Sequence, residues 1–319
     1  YQKARYEGSK VIGAEPPIVR DYLEEAIKLD SSFYAAYDAL GYYWLSQYTW
    51  DGEITDDFEE VVEKASAFFE FVIQKEPSYG EPYIHLAINK IWYKQQLEAY
   101  ALYLKGVELT PEKRGSGNLF LPALGNNPEK HYQWAMEGIR ESPYEPSPWT
   151  AKGLAEYFTG RNDAAIQTLE EAMHKFKNGV IQGTAVRVFY ALEKYKEVIN
   201  IGQSYFGQVP DSRPGRILGY LAAAHYKLGN QSEYETLMEE LRKQAETSPI
   251  GSPAFHLAMV NAQTGDRDTA FEWLDKAIKD KEVELFGLKV EPPFRPLSDD
   301  PRWDVLMEEM GFNDIPKSL

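Results

Sequence analysis

The sequence predicts an all-α solenoid: about eight helical hairpins stacked in a row and closed by a C-terminal capping segment. Three observations predict it. Helix-ending residues recur at a near-constant interval, with Pro77 and Pro111 34 residues apart, Pro111 and Pro143 32, Pro143 and Lys177 34, and Lys177 and Pro210 33. Within that interval, large and small residues recur at i, i+3, i+4 and i+7, which marks one face of an α-helix. Glycine recurs between the paired helices, at Gly125, Gly160, Gly229 and Gly265, where it supplies the left-handed conformation that ends a helix.

Each element follows from that frame. First helices carry a large residue, an apolar residue, a small residue and often an aromatic: Tyr37, Leu40, Gly41 and Trp44; Tyr83, Leu86 and Ala87; Trp149, Gly153 and Tyr157. Second helices carry small, large, small: Ala65, Phe69 and Val72; Ala99, Tyr103 and Gly106; Ala165, Leu169 and Ala172; Ala270, Leu274 and Ala277. Small residues let antiparallel helices approach to about 8–10 Å, and the large ones fill the space beside them. The units run approximately 1–31, 34–77, 80–111, 112–143, 146–177, 179–210, 215–247 and 251–283. The second is lengthened by the insertion "YTWDGEITDDF" (48–58), and the fourth and sixth match the frame least well.

Stacked units bury one another's apolar faces, so the last needs a lid. The segment "LFGLKVEPPFRPL" after residue 283 offers Leu285, Phe286, Leu288, Val290 and Phe294 to that face. Asp300 and Pro301 suit the cap and first position of a final helix. Its apolar stripe is Trp303, Leu306, Met307 and Met310.

Composition narrows the function. Lys plus Arg number 34 against 50 Asp plus Glu, a net charge of −16, which argues against a nucleic-acid backbone or an anionic membrane as partner. There is no cysteine, hence no disulfide framework and no thiolate chemistry. No run of eighteen apolar residues offers a membrane span. The chain begins at Tyr1 without Met or a signal-type segment, which reads as a fragment or mature domain whose upstream part is missing. The five histidines show no metal-ligand spacing, and phosphate-binding and nucleophile-elbow motifs are absent. We expect no metal, no cofactor and no catalytic group.

This 34-residue small–large–small frame resembles the tetratricopeptide repeat (TPR) over nearly the whole chain. The resemblance implies a right-handed superhelix whose concave face is lined by set positions of the first helices. Those positions hold Asp38 and Tyr42; Glu81, Ile88 and Trp92; Ser116 and Phe120; Thr150, Tyr157 and Phe158. Further along come Arg187 and Tyr190; Arg216, Tyr226 and Lys227; and Phe255 and Met259. The tail resembles the end-of-group segment that closes certain bacterial TPR arrays, which often follow a winged helix, a nucleotide cyclase or a kinase across a membrane span. That implies the sensory or scaffolding half of a signalling protein, with an upstream effector domain; membrane-anchored arrays of this kind point to an extracytoplasmic setting, and cytoplasmic arrays share the same tail, so both compartments stay open. The Lys/Asn/Arg carboxylate clamp of some TPR domains is not matched, since the paired asparagines are missing.

Two readings of the concave face stand at this point. In one it binds a peptide or partner protein carrying an anionic group, through the forked guanidinium groups of Arg187 and Arg216 with Lys227. Charge reversal at both arginines is then expected to weaken the partner and leave the melting temperature nearly unchanged. In the other it is a small-molecule sensor, with Trp92, Tyr157, Tyr190 and Tyr226 stacking on a sugar. The basic residues pairing with acids of the chain itself is a third outcome, one without ligand. The 48–58 insertion either roofs the groove or packs outside it.

Overall fold

The computed structural model describes residues 1–8, 16–49, 58–92, 95–110, 127–176, 179–210, 212–247 and 251–314. Among them there are helices and no strand, and no helix is long and apolar enough to cross a membrane. The chain divides into two compact units, Tyr1–Pro111 and Glu112–Leu319.

The first unit holds α1 (Gln2–Gly8), α2 (Pro17–Leu29), α3 (Tyr34–Thr49), α4 (Phe58–Lys75), α5 (Glu81–Trp92) and α6 (Gln96–Leu109), each packed on the next. The second holds α7 (Pro128–Glu141), α8 (Pro146–Phe158), α9 (Asn162–Lys175), α10 (Gly179–Ala191), α11 (Tyr195–Gln208), α12 (Gly215–Lys227), α13 (Gln231–Thr247), α14 (Pro253–Thr264) and α15 (Arg267–Lys279). Here the first helices of successive hairpins, α8, α10, α12 and α14, also pack on one another and form a wall. The insertion at 48–58 lies, but for the last two residues of α3 and the first of α4, outside the described residues. So do Gly125 and the expected first helix of the fourth hairpin, with Ser116 and Phe120.

The small–large–small code is the packing. Ala65, Phe69 and Val72, Ala99 and Tyr103, Ala165, Leu169 and Ala172, and Ala270, Leu274 and Ala277 are all fully buried. A Cβ on Gly41 would lie 2.6 Å from the Phe69 ring, and one on Gly153 2.7 Å from Leu169. In these two hairpins the small position of the first helix is therefore the socket for the large residue of the second.

The hairpin turns account for the weak match of the sixth unit to the frame. Gly160, Gly229 and Gly265 all have left-handed φ, +76°, +74° and +89°. In the sixth hairpin the same place is held by Glu193, with φ +59°. Its turn has the bonding of the glycine turns. Glu193 N–H donates to Tyr190 O at 2.9 Å and Lys194 N–H to Phe189 O at 2.9 Å, as Gly160 does to Tyr157 O at 3.0 Å and Arg161 to Glu156 O at 2.8 Å. The fold imposes the turn on a residue that resists it. Relief of the left-handed penalty (about 1–2 kcal/mol) outweighs the added chain entropy of glycine (about 0.5–1 kcal/mol). Glu193→Gly is therefore expected to raise stability by about 0.5–1 kcal/mol in urea unfolding.

The chain leaves α15 through Lys281, also left-handed at φ +54°. It then forms two 3₁₀ segments, Val283–Val290 and Pro292–Leu297, before α16 (Pro301–Glu309). Prolines at 292, 293 and 296 remove N–H donors and bar a regular helix. Leu285, Leu288, Phe294, Leu297, Leu306, Met307, Met310 and Phe312 are buried in one core with residues of α8–α15, as a capping segment requires. Asp300 caps α16 by accepting from Arg302 N–H at 3.0 Å, with Pro301 at the first position.

Candidate functional site: the first-helix wall of the second unit

The capping segment does more than close the last hairpin. It lies along the wall of first helices, held by the side chains that the repeat pattern assigns to ligand binding. Arg187, on α10, is buried, and both carboxylates paired with it come from the segment. Its Nε is 3.0 Å from Glu291 and its terminal nitrogen 3.2 Å from Glu284. Arg216, on α12, pairs with the other oxygen of Glu284. Burial alone would raise the Glu284 carboxyl, but Arg216 and Arg187 outweigh it and hold the group down at about 2.

Other wall residues read the backbone and the aromatic of the segment. Gln263, on α14, donates through Nε2 to Pro293 O at 2.5 Å and accepts at Oε1 from the Tyr190 hydroxyl at 3.0 Å. Phe294 is fully buried, edge-on to Phe255 at 5.0 Å and stacked with Trp303 at 6.2 Å. Tyr157, on α8, faces Arg295 and Glu291; burial raises its hydroxyl and Arg295 pulls it partly back. Beneath the segment the His256 ring is fully buried and lies between Tyr220 and Phe255, and burial takes it down to about 3, so it is neutral.

The segment is anchored where it begins. Glu282 is buried, and its two oxygens accept from Ala254 N–H at 3.0 Å and Phe255 N–H at 2.7 Å, the unpaired donors at the start of α14. Ser252 Oγ accepts from Glu284 N–H at 3.1 Å. Burial pushes the Glu282 carboxyl up to about 7, against the pull of the Phe255 and Ala254 amides.

These two glutamates give opposite pH dependences. Glu284 titrates below an ordinary carboxyl, so its contribution is complete above about pH 4.5 and is lost as pH falls toward 2. Glu282 titrates above an ordinary carboxyl, so its contribution is complete below about pH 4.5 and is lost as pH rises through 7. Glu282→Gln removes the second dependence. Relative to that variant, wild type is expected to lose about 2–3 kcal/mol between pH 4.5 and 7.5 in parallel urea titrations. Parallel curves would contradict the assignment.

The site residues expected from the sequence divide three ways. Arg187, Arg216, Tyr157 and Tyr190 meet at the segment, directly or, for Tyr190, through Gln263. The aromatic platform is thereby partly closed: Tyr190 is buried, with its ring 5.5 Å from Tyr220, and Phe158 packs beside Tyr157 at 5.3 Å. Lys227 and Tyr226 do not join the arginines. Lys227 reaches Gln263 O at 3.4 Å from the exposed end of α12, and Tyr226 is exposed and packs on Tyr234 of α13 at 5.4 Å. The expected neutrality of charge reversal at Arg187 and Arg216 is corrected, because Arg187 is 4% exposed and answers two buried or nearly buried carboxylates.

In the first unit, Asp38, Tyr42 and Glu81 gather around two residues that the repeat pattern does not mark. Asp38 is buried and accepts from Tyr79 OH at 3.3 Å, and its other oxygen is 2.9 Å from His85 Nδ1. The single Tyr79 hydroxyl proton is shared with Glu81, the nearer acceptor at 2.9 Å, and Tyr42 packs on His85 at 5.0 Å. Burial, then Asp38 and Glu81, raise the Tyr79 hydroxyl far above its ordinary value, so it serves as a fixed donor. Trp92 ends α5, and its side chain lies outside those described. Pattern reasoning missed His85, Tyr79, Gln263, Glu282, Glu284 and Glu291. For the last three the signal was present, as acids set among the apolar residues of a segment valued only for those apolar residues.

No protein-family model matches this chain, and no curated protein does. Among solved structures it is similar to YrrB, a TPR protein with an unusual peptide-binding site. That match has 15% identity and a TM-score of 0.32, and covers 70% of this chain and 96% of that one. It is also similar to the human IFIT1 dimer with m7Gppp-AAAA, with 13% identity, a TM-score of 0.45, and 95% of this chain against 65% of that one. A monomeric IFIT1 mutant with Gppp-AAAA gives 12% identity, a TM-score of 0.45 and the same coverage. The chain thus spans 65% of the length of the IFIT1 chains it matches.

Proposed function

We propose that this chain is a non-enzymatic binding and scaffold module that engages a peptide or partner protein through its first helices. The supporting observation is the wall itself. A stretch of polypeptide in 3₁₀ turns, Glu284 to Arg295, is held there by paired guanidinium groups, a backbone-reading amide and an aromatic slot. Those are the elements of peptide recognition: charge for register, main-chain bonds for affinity and a pocket for an anchor. The end-of-group character of the tail supports the larger setting, the sensory or interaction half of a bacterial signalling protein with an effector domain upstream.

Selection of a random displayed peptide library on the immobilised full chain tests this reading. It expects enriched sequences that bind the chain and not an unrelated helical-repeat protein. Failure to enrich any, together with a sugar that raises the melting point in a thermal-shift screen, would contradict it. A ligand at a hundredfold excess over its Kd adds about 2.7 kcal/mol.

A further inference from the structure

We propose that the wall formed by α10, α12 and α14 is a receptor for an acidic peptide coiled in 3₁₀ turns, and that residues 282–297 are its built-in ligand, displaceable by a second peptide of the same chemistry. The inference rests on the binding-module reading and adds to it the class of ligand and the means of control.

Charge is divided between wall and segment. The wall contributes Arg187 and Arg216, and the acids paired with them, Glu284 and Glu291, come from the segment. Without the segment the wall would hold two guanidinium groups with no counter-charge, one of them in a buried position, which is costly in a low-dielectric site. The wall therefore selects for an occupant with two carboxylates. Their spacing is set as well. Glu284 and Glu291 stand seven residues apart and converge on one guanidinium, and Phe294 follows three residues later in its slot against Phe255.

The remaining contacts specify polypeptide rather than a small anion. Gln263 reads a main-chain carbonyl, that of Pro293, and Pro292 and Pro293 fix the turn between the second carboxylate and the aromatic. The contacts of Arg187 span 97 and 104 residues of sequence. The segment leaves α15 through a single left-handed residue, Lys281. At its other end it runs on into α16, where Phe294 stacks with Trp303 and Lys289 Nζ donates to Phe312 O at 2.7 Å; between these two links its contacts with Arg187, Arg216, Gln263 and Phe255 are those a separate peptide would make. A protein presenting acid, six residues, acid, two prolines and phenylalanine would compete with it, and displacement would free a tail that carries its own apolar stripe.

The test uses wild-type full chain and a ¹³C-labelled synthetic peptide of residues 282–298, distinguishable by mass from the chain's own segment. Hydrogen exchange of the chain's own 283–297 amides is followed with and without millimolar peptide. The expected result is acceleration by about tenfold or more, and none from the same peptide with Glu284→Gln and Glu291→Gln. No effect of either peptide, or an equal effect of both, overturns the proposal. The full-chain variant Glu284→Gln gives an independent reading, because its weakened latch should bind a fluorescein-tagged copy of the 282–298 peptide about tenfold more tightly than wild type by fluorescence anisotropy. Equal or weaker binding overturns the proposal too. If library selection yields peptides that bind with unchanged affinity to Arg216→Gln and leave segment exchange untouched, the binding-module reading stands and this one falls.

Discussion

Replacing Arg187 by methionine is expected to lower the stability of the second unit by about 3–5 kcal/mol. The guanidinium is 4% exposed, and it answers Glu291, 1% exposed, and Glu284, 11% exposed. Methionine fills much of the volume but leaves Glu291 buried without a counter-charge. Removing one partner of a buried pair costs far more than the pair contributes over an apolar substitute. The combined variant Arg187→Met with Glu291→Met is therefore expected to recover most of the loss. Equilibrium urea unfolding measures both. A single variant within about 0.5 kcal/mol of wild type would mean that the arginine is solvated.

Deleting residues 284–319 is expected to have the larger effect. The deleted stretch takes away Leu285, Leu288, Phe294, Leu297, Leu306, Met307, Met310 and Phe312 from the core they share with α12, α14 and α15. Each buried side chain of this kind contributes about 1.5–3 kcal/mol, and together they match or exceed the net stability of an ordinary domain, about 5–15 kcal/mol. Because repeat units are stabilised mainly by their neighbours, the loss falls first on the last hairpin. Amide protection in α14 and α15 should collapse, with apolar dye binding and aggregation, while α8 and α9 keep theirs longer. A soluble truncation with protection unchanged in α14 and α15 would contradict the capping role.

The fold was legible because its determinants are local and repeated. The alternation of Ala165, Leu169 and Ala172 against Gly153 is written in spacing, and spacing is what a helix face reads out. The sixth hairpin was harder to see because Glu193 occupies a left-handed turn that glycine usually marks, and the turn is enforced by the helices it joins. The site was legible by half. Arg187 and Arg216 stood out as cations on a ligand-facing frame in an acidic chain. Their partners lie about 70 to 100 residues away, at Glu284 and Glu291. No periodicity links them, since the pairing depends on how the chain turns back after Lys281. Gln263 and His85 were invisible for a related reason: a lone amide or imidazole gains a role only from what the stack places opposite it.

The most direct test of the account is a double-mutant cycle between Arg187→Met and Glu291→Gln, read as unfolding free energies of the full chain. If the segment lies on the first-helix wall as described, the two substitutions are coupled by about 1.5–3 kcal/mol. Strict additivity would mean that the guanidinium and the carboxylate do not meet, and the segment would then have to lie elsewhere.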